Sequence, residues 1–530
     1  MKKVLVFLLA CLASTVAFAQ TLHYTIDQTG CQALDRKVTG VFAINHVEVY
    51  NGEGMQYAGG GDLEIGVFDQ NGICRGAKLP TWREKSNQWV YQLKIKGDVG
   101  FVYHFKVYDH ATETELDLVD DFADVIEYVS NQQTGSLSNL YELNFTYPIT
   151  KDIIGVGESN WANQNGGYYL IASPLANNTN PADVENMINS AYDLYYFDQA
   201  QDLEWINYQD QNDGGYDLVS GKGYLYASKE DTQLIFKGSP VAGNEITVAL
   251  DYIDGATWAG WNLVGNPFTV AAYITDMEDN AKYFYVLNDD RNEVVSAQGT
   301  TIAPMEGAFV CAAGQGESVK IGYTPSGKGT RANFALNLSQ NRGVIDRAVV
   351  NFGKGNLPKF QLNPSHTKVY IPMEGKDYAV VSAEAVGEMP VNFKAEKSGT
   401  YTLSLSTEEV SFTYLHLIDN QTGNDVNLLE TPSYSFNAQV TDYAQRFRLV
   451  FATGSSVDGD SFGFINAGGN FCIYGIEGEA TVQVMDVVGH VLSSDTFSGS
   501  YERKLDVASG VYMIRLINGN DVKVQKIVVR

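Results

Sequence analysis

The sequence predicts a mainly β, multi-domain chain of antiparallel β-sandwich-like modules, with a duplicated middle unit and few short helices. Segments of four to eight residues alternate between apolar and polar side chains, as in Leu63–Val67 and Tyr401–Leu405, and this period is typical of half-buried strands. Glycine supplies 51 of the 530 residues and tyrosine 32, a composition that suits short strands joined by tight turns. One pattern of strands and turns also occurs twice in the middle of the chain.

Composition excludes several classes of protein. Lysine and arginine number 36 against 63 aspartate and glutamate residues, which gives a net charge of −27. Because nucleic-acid binding needs a basic surface, this charge argues against a nucleic-acid partner. Apolar residues make up 44% of the chain and charged residues 19%, which is the composition of a folded protein and not of a disordered segment. The length predicts about three to five domains.

The first segment, residues 1–19, is predicted to be a secretory signal peptide. Lys2 and Lys3 precede an apolar stretch that ends in Ala17–Ala19, and a basic start, an apolar centre and small residues before the cleavage site define such signals. The stretch is too short for a membrane span, and no later apolar run is long enough to be one. A lipoprotein box at Leu8–Cys11 is the alternative interpretation of the same segment.

Residues 20–150 are predicted to form an N-terminal β-sandwich domain. Tyr91–Ile95 and Phe101–Val107 alternate as half-buried strands do. Gly97 and Asp98 lie between them, and these turn residues favour a hairpin. Antiparallel strands joined in this way typically pack as a sandwich.

Export determines what is expected of the four cysteines that follow the signal peptide. Cys31 and Cys74 fall in one predicted domain and are candidates for a disulfide in an oxidising compartment. Cys311 and Cys472 lie in apolar strand patterns, so each is predicted to be a buried thiol.

Residues 151–325 are predicted to form a duplicated β-rich domain of two units, about 160–250 and 251–325. The corresponding segments are Gly167–Pro174 with Gly260–Pro267, Leu194–Asp198 with Phe284–Asn288, and Gly221–Ala227 with Met305–Cys311. Two copies are too few for a solenoid, so the units are expected to pack as one pseudo-symmetric domain. Asn180 and Pro181 are typical of a helix start, and a short helix is predicted over 182–189.

Two short polar segments divide the rest of the chain. Ser326–Thr330 precedes a strand-rich region that closes with Arg446–Phe451 and is predicted to be a β-sandwich accessory domain, residues 326–455. Thr453–Asp460 precedes the last module, predicted over 456–530. Small polar residues of this kind are typical of linkers.

The C-terminal module contains three ordered elements: a strand ending in Asp-x-x-Gly, a strand that begins Ser-Gly-Val-Tyr, and a basic, apolar terminus. The residues that define them are Asp486, Gly489, Leu505, Ser509, Gly510, Tyr512, Lys526 and Arg530. Together these elements resemble the type A C-terminal sorting domain of the type IX secretion system, over about 462–530. The Asn-Pro element that usually opens such domains is absent, since Phe464–Gly468 contains no proline.

This resemblance implies a destination for the protein. Such domains are small β-sandwiches that the outer-membrane translocon and sorting machinery of type IX secretion recognise, and their cargo is attached to the cell surface or released. The resemblance therefore implies secretion across the outer membrane to the cell surface or the extracellular space. The region 332–452 also resembles the accessory β-domain that often precedes this signal in surface cargo, which implies no particular chemistry.

Few residue patterns indicate catalysis or metal binding. The seven histidines are scattered and form no His-Glu-x-x-His motif, which argues against a metalloprotease. No Gly-x-Ser-x-Gly motif occurs, so no catalytic residue is assigned and the chain is expected not to be an enzyme. No cofactor is expected apart from calcium at Asp210, Asn212 and Asp213, whose oxygens are ligands that this ion prefers; a solvated turn is the alternative.

Aromatic residues are the remaining candidates for ligand binding. Trp82, Trp89 and Trp205 lie in polar, loop-like stretches, and exposed rings stack on sugar faces or anchor protein interfaces; packing in the core is the alternative. We therefore expect a non-catalytic binding or adhesion protein of the cell surface, with a glycan or a host protein as its ligand. The alternatives are a secreted hydrolase that acts on glycans and a structural component of a surface layer or stalk.

Overall fold

The computed structural model describes residues 21–44, 49–50, 53–54, 61–111, 113–118, 126–146, 148–163, 166–189, 191–201, 203–210, 215–278, 282–299, 301–323, 332–340, 343–453, 462–466 and 469–529; the predicted signal peptide lies outside them. These residues form forty-two β-strands, one α-helix and two 3₁₀ helices, which confirms the mainly β prediction. None of their helices is long and apolar enough to span a membrane. The chain divides into two compact units, Met1–Pro148 with Lys237–Pro240, and Ile149–Phe236 with Val241–Arg530.

The first unit is built around a ten-stranded sheet. Its strands are β1 (Arg36–Ile44), β2 (Val49–Tyr50), β3 (Glu53–Gly54), β4 (Leu63–Asp69), β5 (Cys74–Lys78), β6 (Thr81–Arg83), β7 (Gln88–Ile95), β8 (Val102–Asp109), β9 (Thr114–Leu118), β10 (Ile126–Glu127), β11 (Gln133–Thr134) and β12 (Tyr141–Thr146). The order is β5-β4-β8-β9-β12-β1-β7-β6, with β10 beside β8 and β11 beside β1, while β2 and β3 pair separately. Strand β8 buries Tyr103, Phe105 and Val107 and exposes His104 and Lys106, so the period of two in the sequence directs one face of the sheet to the core.

The predicted disulfide between Cys31 and Cys74 is wrong, because both residues are free thiols in the structure. Cys74 is buried in β5, where its thiol donates to the carbonyl of Gly76 at 3.5 Å. Cys31 lies on the loop before β1, and its sulfur accepts a hydrogen bond from Arg75 Nη1 at 3.7 Å. Each sulfur therefore has a separate partner, and burial raises the pKa of the Cys74 thiol.

The other two cysteines, Cys311 and Cys472, are also free. Cys472 is fully buried, as predicted, and burial raises the pKa of its thiol to about 11. Cys311 is only half-buried, although burial still raises its pKa to about 11. Neither thiol is ionised near neutral pH, so neither has the character of a nucleophile.

The second unit begins with two copies of one arrangement, which confirms the predicted duplication. Its first elements are β13 (Ile149–Ile153), α1 (Gly157–Asn163), β14 (Tyr169–Ala172), β15 (Tyr192–Phe197), β16 (Trp205–Asn207), β17 (Gly223–Ser228), β18 (Thr232–Phe236), β19 (Glu245–Ala249), β20 (Trp261–Gly265), β21 (Ala272–Asp276), β22 (Tyr285–Leu287), β23 (Val294–Ser296), β24 (Thr301–Ile302), β25 (Gly307–Cys311) and β26 (Ser318–Gly322). One four-stranded sheet has the order β14-β17-β15-β16 and the other β20-β25-β22-β23, while β13 pairs with β18 as β19 pairs with β26. Corresponding segments of sequence therefore occupy corresponding places in the two sheets.

Corresponding backbone groups join the two copies. The amide of Ala172 donates to the carbonyl of Met305 at 3.0 Å, and the amide of Gly265 donates to the carbonyl of Gly221 at 2.8 Å. Gly265 is the counterpart of Ala172, and a Cβ atom at Gly265 would lie 2.5 Å from the carbonyl oxygen of Lys222. Only glycine allows this close approach, so the contact between the copies depends on it.

The helix predicted over 182–189 is wrong. A 3₁₀ helix spans only Pro181–Asp183, where the side chain of Asn180 accepts a hydrogen bond from the amide of Ala182 at 2.9 Å. Glu185 then exchanges two backbone hydrogen bonds with Ile235, at 3.0 and 3.1 Å. This bridge occupies the backbone groups that a longer helix would need. The predicted helix start at Asn180 is therefore correct, but the predicted length of the helix is wrong.

The accessory region, which starts at residue 332 in the described chain, forms an eleven-stranded sheet. Its strands are β27 (Asn333–Gln340), β28 (Gly343–Asn351), β29 (Leu357–Pro358), β30 (Lys368–Met373), β31 (Lys376–Ser382), β32 (Val386–Lys394), β33 (Gly399–Glu408), β34 (Phe412–Asp419), β35 (Asn424–Asn427), β36 (Ser433–Ala438) and β37 (Phe447–Thr453). The order is β35-β34-β37-β32-β30-β31-β28-β27-β33-β36, with β29 beside β31. Its apolar side chains form one large core that draws on most of these strands, from Phe334 to Phe451.

A buried ion pair stabilises the end of this sheet. Arg446 Nη2 lies 2.9 Å from Asp419 Oδ2, and the two side chains are 2% and 0% exposed. Tyr434 also donates to Asp419 Oδ2, at 3.0 Å. Burial alone would raise the pKa of Asp419, but the hydrogen bonds from Arg446 and the amide of Gln421 hold it below its usual value.

The duplicated sheets and the accessory sheet share a second core. Phe360, which lies just after β29, stacks on Trp261 with ring centroids 4.2 Å apart and also contacts Phe309 at 4.9 Å. The backbone amide of Phe360 donates a hydrogen bond to the hydroxyl of Tyr285 at 3.0 Å, which fixes the position of this residue. Residues of the accessory strands, including Ala335 and Val380, belong to the same cluster. Residues 149–236 and 241–453 of the described chain are therefore coupled through a common aromatic core.

The C-terminal module is a five-stranded sheet. Its strands are β38 (Phe464–Ile465), β39 (Asn470–Met485), β40 (Val491–Lys504), β41 (Gly510–Asn518) and β42 (Asp521–Val529). The order is β38-β39-β41-β42, and β40 also pairs with β39. This module has its own core, which includes Phe471, Ile473, Val482, Val484, Ile514 and Leu516. It contacts the accessory region through a small group, in which Tyr414 stacks on Tyr474 at 4.6 Å.

Candidate functional site

A pocket of about 260 Å³ opens where the two copies meet the accessory region. We call it the aromatic pocket, and its lining residues are Tyr168, Tyr195, Trp205, Leu225, Leu287, Arg291, Asn292 and Leu362. Trp205 lies on β16, which pairs with β15 so that Trp205 faces Phe197 across the hairpin. Its ring packs edge to face on Phe197 at 5.4 Å and on Phe309 at 6.0 Å. One side of the indole is thus fixed by the shared core, while the residue stays half-buried at the pocket.

A carboxylate lies beneath the tyrosine wall of the pocket. Tyr195 donates to Asp193 Oδ1 at 3.4 Å, and Tyr168 also hydrogen-bonds Asp193. Burial raises the pKa of Asp193, although these two hydrogen bonds act against the increase. Burial, together with the Asp193 charge, raises the pKa of Tyr195 to about 12. Both tyrosines are therefore neutral hydrogen-bond donors to this carboxylate and have fixed orientations.

The opposite wall comes from the turn between β22 and β23. Arg291 has a φ of +51°, a left-handed conformation that is uncommon for a side chain other than glycine. Its guanidinium lies over the ring of Tyr169, with Cζ 4.4 Å from the centroid. The carbonyl of Arg291 accepts hydrogen bonds from the amides of Gly167 and Tyr168 at 3.0 and 3.2 Å. The turn of the second copy thus holds the first strand of the first copy in place.

Glu293 connects the pocket to the accessory region. This residue is 1% exposed, and burial raises its pKa. Its Oε1 accepts from the amides of Val294 and Leu362, at 2.8 and 2.7 Å, and its Oε2 accepts from Asn363 at 2.9 Å. Both oxygens are engaged by backbone amides, so Glu293 positions the Leu362 wall.

Trp82 and Trp89 lie together in the first unit, whereas Trp205 belongs to the second. They face each other across strands β6 and β7, with ring centroids 5.4 Å apart. Trp82 is 42% exposed, whereas Trp89 is half-buried. The prediction that Trp82, Trp89 and Trp205 lie in loop-like stretches is wrong, since all three are strand residues. Each tryptophan is in a strand because it pairs with a residue of a neighbouring strand. The polar residues beside it in the sequence gave no indication of this pairing.

Two of the three residues predicted to bind calcium lie outside the described part of the chain. Asp210 ends a 3₁₀ helix, Tyr208–Asp210, whereas Asn212 and Asp213 lie outside the described residues. In the part of the chain that the structure describes, no three His, Cys, Asp or Glu side chains are grouped as metal ligands would be.

Several pocket residues had no distinct signal in the sequence. Tyr168 and Trp261 occupy equivalent positions in the duplicated segments Gly167–Pro174 and Gly260–Pro267. Trp261 is buried, at 7% exposure, but Tyr168 is only half-buried and lines the pocket. The sequence signal that could have marked this site is the difference between Tyr168 and Trp261 at equivalent positions of the two copies.

The Asp-x-x-Gly element of the C-terminal module forms the turn between β39 and β40. Asp486 Oδ1 accepts from the amides of Val488 and His490, at 3.0 and 2.9 Å, and these hydrogen bonds lower the pKa of Asp486. Gly489 has a φ of +93° and donates to the carbonyl of Asp486 at 3.0 Å. This turn needs both a short side-chain acceptor and a glycine, which explains the spacing of the two residues.

The remaining sorting residues divide into core, turn and surface. Leu505 is buried in the core of the module, and the Tyr512 hydroxyl donates to the carbonyl of Ala508 at 2.7 Å, which closes the turn before β41. Ser509 and Lys526 are exposed. Gly510 opens β41, and Arg530 lies outside the described residues.

Exposed valines and a leucine mark the outside of this module. Of the 23 large hydrophobic side chains that are exposed in the described chain, eight belong to it: Val487, Val488, Val491, Leu492, Val511, Val522, Val524 and Val528. Val511 and Val528 are paired neighbours on β41 and β42. Contiguous exposed apolar residues are typical of a surface that contacts another protein.

Residues 467–530 match the family described as "Secretion system C-terminal sorting domain". This segment is a type IX secretion sorting domain. The match confirms the resemblance drawn from the three sequence elements, and it covers the turn at Asp486 and strands β39 to β42. The departure at Phe464–Gly468 falls at or before the start of the matched segment.

Other comparisons add no further information. None of the curated proteins matches the chain. Among solved structures, the BSP domain of a biofilm associated protein is 9% identical over 98% of this chain and 99% of that chain, with a TM-score of 0.14. Escherichia coli alpha-2-macroglobulin activated by porcine elastase is 8% identical over 94% of this chain and 53% of that chain, with a TM-score of 0.11. Scores this low carry no argument about fold or function.

The sorting domain determines the destination of the protein. A protein with this domain is exported by type IX secretion to the cell surface or the extracellular space, so the predicted localisation is confirmed. The sorting domain also implies handling by the type IX secretion machinery.

Proposed function

We propose that this protein is a non-catalytic recognition protein of the cell surface, which binds a glycan or a host protein. The observation that carries the proposal is the aromatic pocket, in which Tyr195 and Trp205 lie on the paired strands β15 and β16 and Tyr168 directly precedes β14. Aromatic side chains fixed in this way supply a large contact area at low entropic cost. A pocket with a few polar groups among apolar walls is the usual form of a ligand site.

The carboxylates near the pocket favour binding over hydrolysis. Glycoside hydrolysis generally needs two carboxyl groups that flank the bond, one as acid and one as base or nucleophile. Here Asp193 accepts hydrogen bonds from two tyrosines, and Glu293 accepts three from backbone amides. Such engagement positions protein groups, so Asp193 and Glu293 do not form the pair that hydrolysis needs.

The stalk alternative is less compatible with the same geometry. A stalk is expected to consist of modules strung end to end, each with a core of its own. In this protein, Phe360 of the accessory region packs among Trp261, Phe309 and Tyr285 of the duplicated sheets. A shared core of this kind is suited to holding a binding pocket rigid where the regions meet.

The proposal is tested with the protein purified after export. We expect saturable binding to a member of a glycan array or a host-protein array, and we expect no release of reducing sugars or peptides from that ligand. Hydrolysis of the bound ligand, or the absence of any binding on either array, would contradict the proposed function.

A further inference from the structure

We propose that the aromatic pocket binds one uncharged pyranose residue at the end of a glycan. The inference rests on the proposed function and specifies its ligand. It is argued from the size of the pocket, the geometry of its walls, the hydrogen-bonding groups it presents and the charges around it.

Size and shape favour a single ring. The pocket measures about 260 Å³, below the range of about 300–1,000 Å³ that drug-sized ligands fill. Tyr168, Tyr195 and Trp205 supply most of its polarisable wall. The C–H face of a pyranose packs against such rings, whereas a folded peptide or an extended oligosaccharide needs a longer groove.

Hydrogen-bonding groups at the pocket match sugar hydroxyls. Tyr168 and Tyr195 donate their protons to Asp193, so each hydroxyl oxygen keeps a lone pair as an acceptor. Among the lining residues, the side-chain amide of Asn292 carries N–H donors. Asn292 accepts from Asn288 Nδ2 through its Oδ1 at 2.9 Å, which orients its own amide group. Donors and acceptors are thus both present, as a hydroxyl requires because it can act as either.

The charge distribution opposes an acidic ligand. Arg291 is the one cation among the lining residues, and the exposed carboxylates of Asp289 and Asp290 precede it directly in the same turn. Asp193 adds a carboxylate beneath the tyrosines, and the whole chain carries a net charge of −27. An anionic sugar would approach against this field. A neutral sugar avoids that cost, because it carries no charge for this field to repel.

The test uses methyl pyranosides of the common neutral sugars and the uronic acids that match them, titrated into the purified full-length exported protein. We expect at least one neutral pyranoside to bind, and its acidic counterpart to bind more weakly. Raising the salt from about 50 mM to about 500 mM should change the dissociation constant by less than about twofold, because no ion pair is screened.

Variants locate the sugar. Trp205→Ala should weaken binding by about tenfold through the loss of one stacking wall, while Trp205→Phe, which keeps a ring, should retain most of it. Trp82→Ala is the matched control, a tryptophan of the first unit at which no change is expected. On the unaltered protein, the bound sugar should slow hydrogen exchange in the 285–296 hairpin, a readout that does not depend on whether Trp205→Ala folds.

Each other outcome overturns the inference. Tighter binding of the uronic acid, or loss of binding in Trp82→Ala with retention in Trp205→Ala, would show a different ligand or a different site and would leave the proposed function intact. Binding of host proteins with no sugar bound would do the same. If the protein binds neither sugars nor proteins, the proposed function fails together with the inference.

Discussion

The cargo part of the second unit and the sorting module are built on different principles. Between residues 149 and 453, some side chains from the strands of three sheets meet in a shared core around Phe360, in addition to the cores that belong to single regions. The sorting module instead has its own core and contacts the accessory region through a small group that includes Tyr414 and Tyr474. A common core couples the stability of its parts, whereas a small aromatic contact does not. The proposed recognition function and export thus belong to parts with separate cores.

The strongest test of this separation removes the sorting module. Deleting residues 462–530 should abolish export, because the match to the sorting domain lies within them, while the cargo part should remain folded inside the cell. Cell fractionation measures the first effect, and circular dichroism with limited proteolysis measures the second. Tyr443→Ala in the full chain, at a side chain that is 92% exposed, is the control and should be exported normally.

Normal amounts of the truncated protein outside the cell would contradict the assigned role of the module. An unfolded intracellular product would instead contradict the independence of the two parts.

The next largest effect is expected at the shared core. Phe360→Ala removes a buried ring that contacts Trp261 and Phe309, and a change of this kind lowers the free energy of unfolding by about 3–5 kcal/mol. Denaturant unfolding measures the loss, and hydrogen exchange shows where it occurs. Strands β20 and β31, from the two sides of the core, should lose protection together, while β39 should keep it.

For comparison, Tyr443→Ala should change the stability by less than about 0.5 kcal/mol, as most exposed substitutions do. Loss of protection on one side of Phe360 alone would show that the two regions are separate cores after all.

A smaller and pH-dependent effect is expected at the buried ion pair. Asp419→Asn keeps the shape but removes the charge that Arg446 contacts, which should cost about 2–3 kcal/mol at neutral pH. In the unaltered protein the pKa of Asp419 is lower when folded than when unfolded. Its contribution is therefore complete above the unfolded value of about 3.9 and is lost as the pH falls through the folded value.

Unfolding curves between neutral pH and about pH 2 measure this dependence, since the range spans the usual carboxyl pKa values. The difference between the unaltered protein and Asp419→Asn should shrink as the pH falls below about 4. A difference that is constant over this range would show that the ionised carboxylate does not stabilise the fold.

Local chemistry explains which predictions succeeded. The turn at Asp486 and Gly489 depends on one short acceptor side chain and one left-handed residue, so four residues of sequence suffice to predict it. The cap at Asn180 is equally local, but the helix after it fails because Glu185 pairs with Ile235, fifty residues away. The disulfide between Cys31 and Cys74 fails for a related reason, since a shared domain and an oxidising compartment do not by themselves place two sulfurs together.

The candidate site was only partly visible in the sequence. Trp205 was predicted as a ligand residue on the basis of polar neighbours, and it does line the pocket, although on a strand. Arg291 and Tyr168 were not predicted, because each comes from a different copy of the duplicated unit. The backbone hydrogen bonds that Gly167 and Tyr168 donate to the Arg291 carbonyl help to bring these walls together.

The sequence by itself determined the secondary structure class, the duplication and the destination of the protein, because alternation, turn residues and the sorting elements act over a few residues at a time. Tertiary structure alone decided that Phe360 joins the accessory region to the duplicated sheets, and that a pocket opens beside it. These features depend on side chains far apart in the chain, whose meeting is set by how whole sheets pack and not by any local pattern.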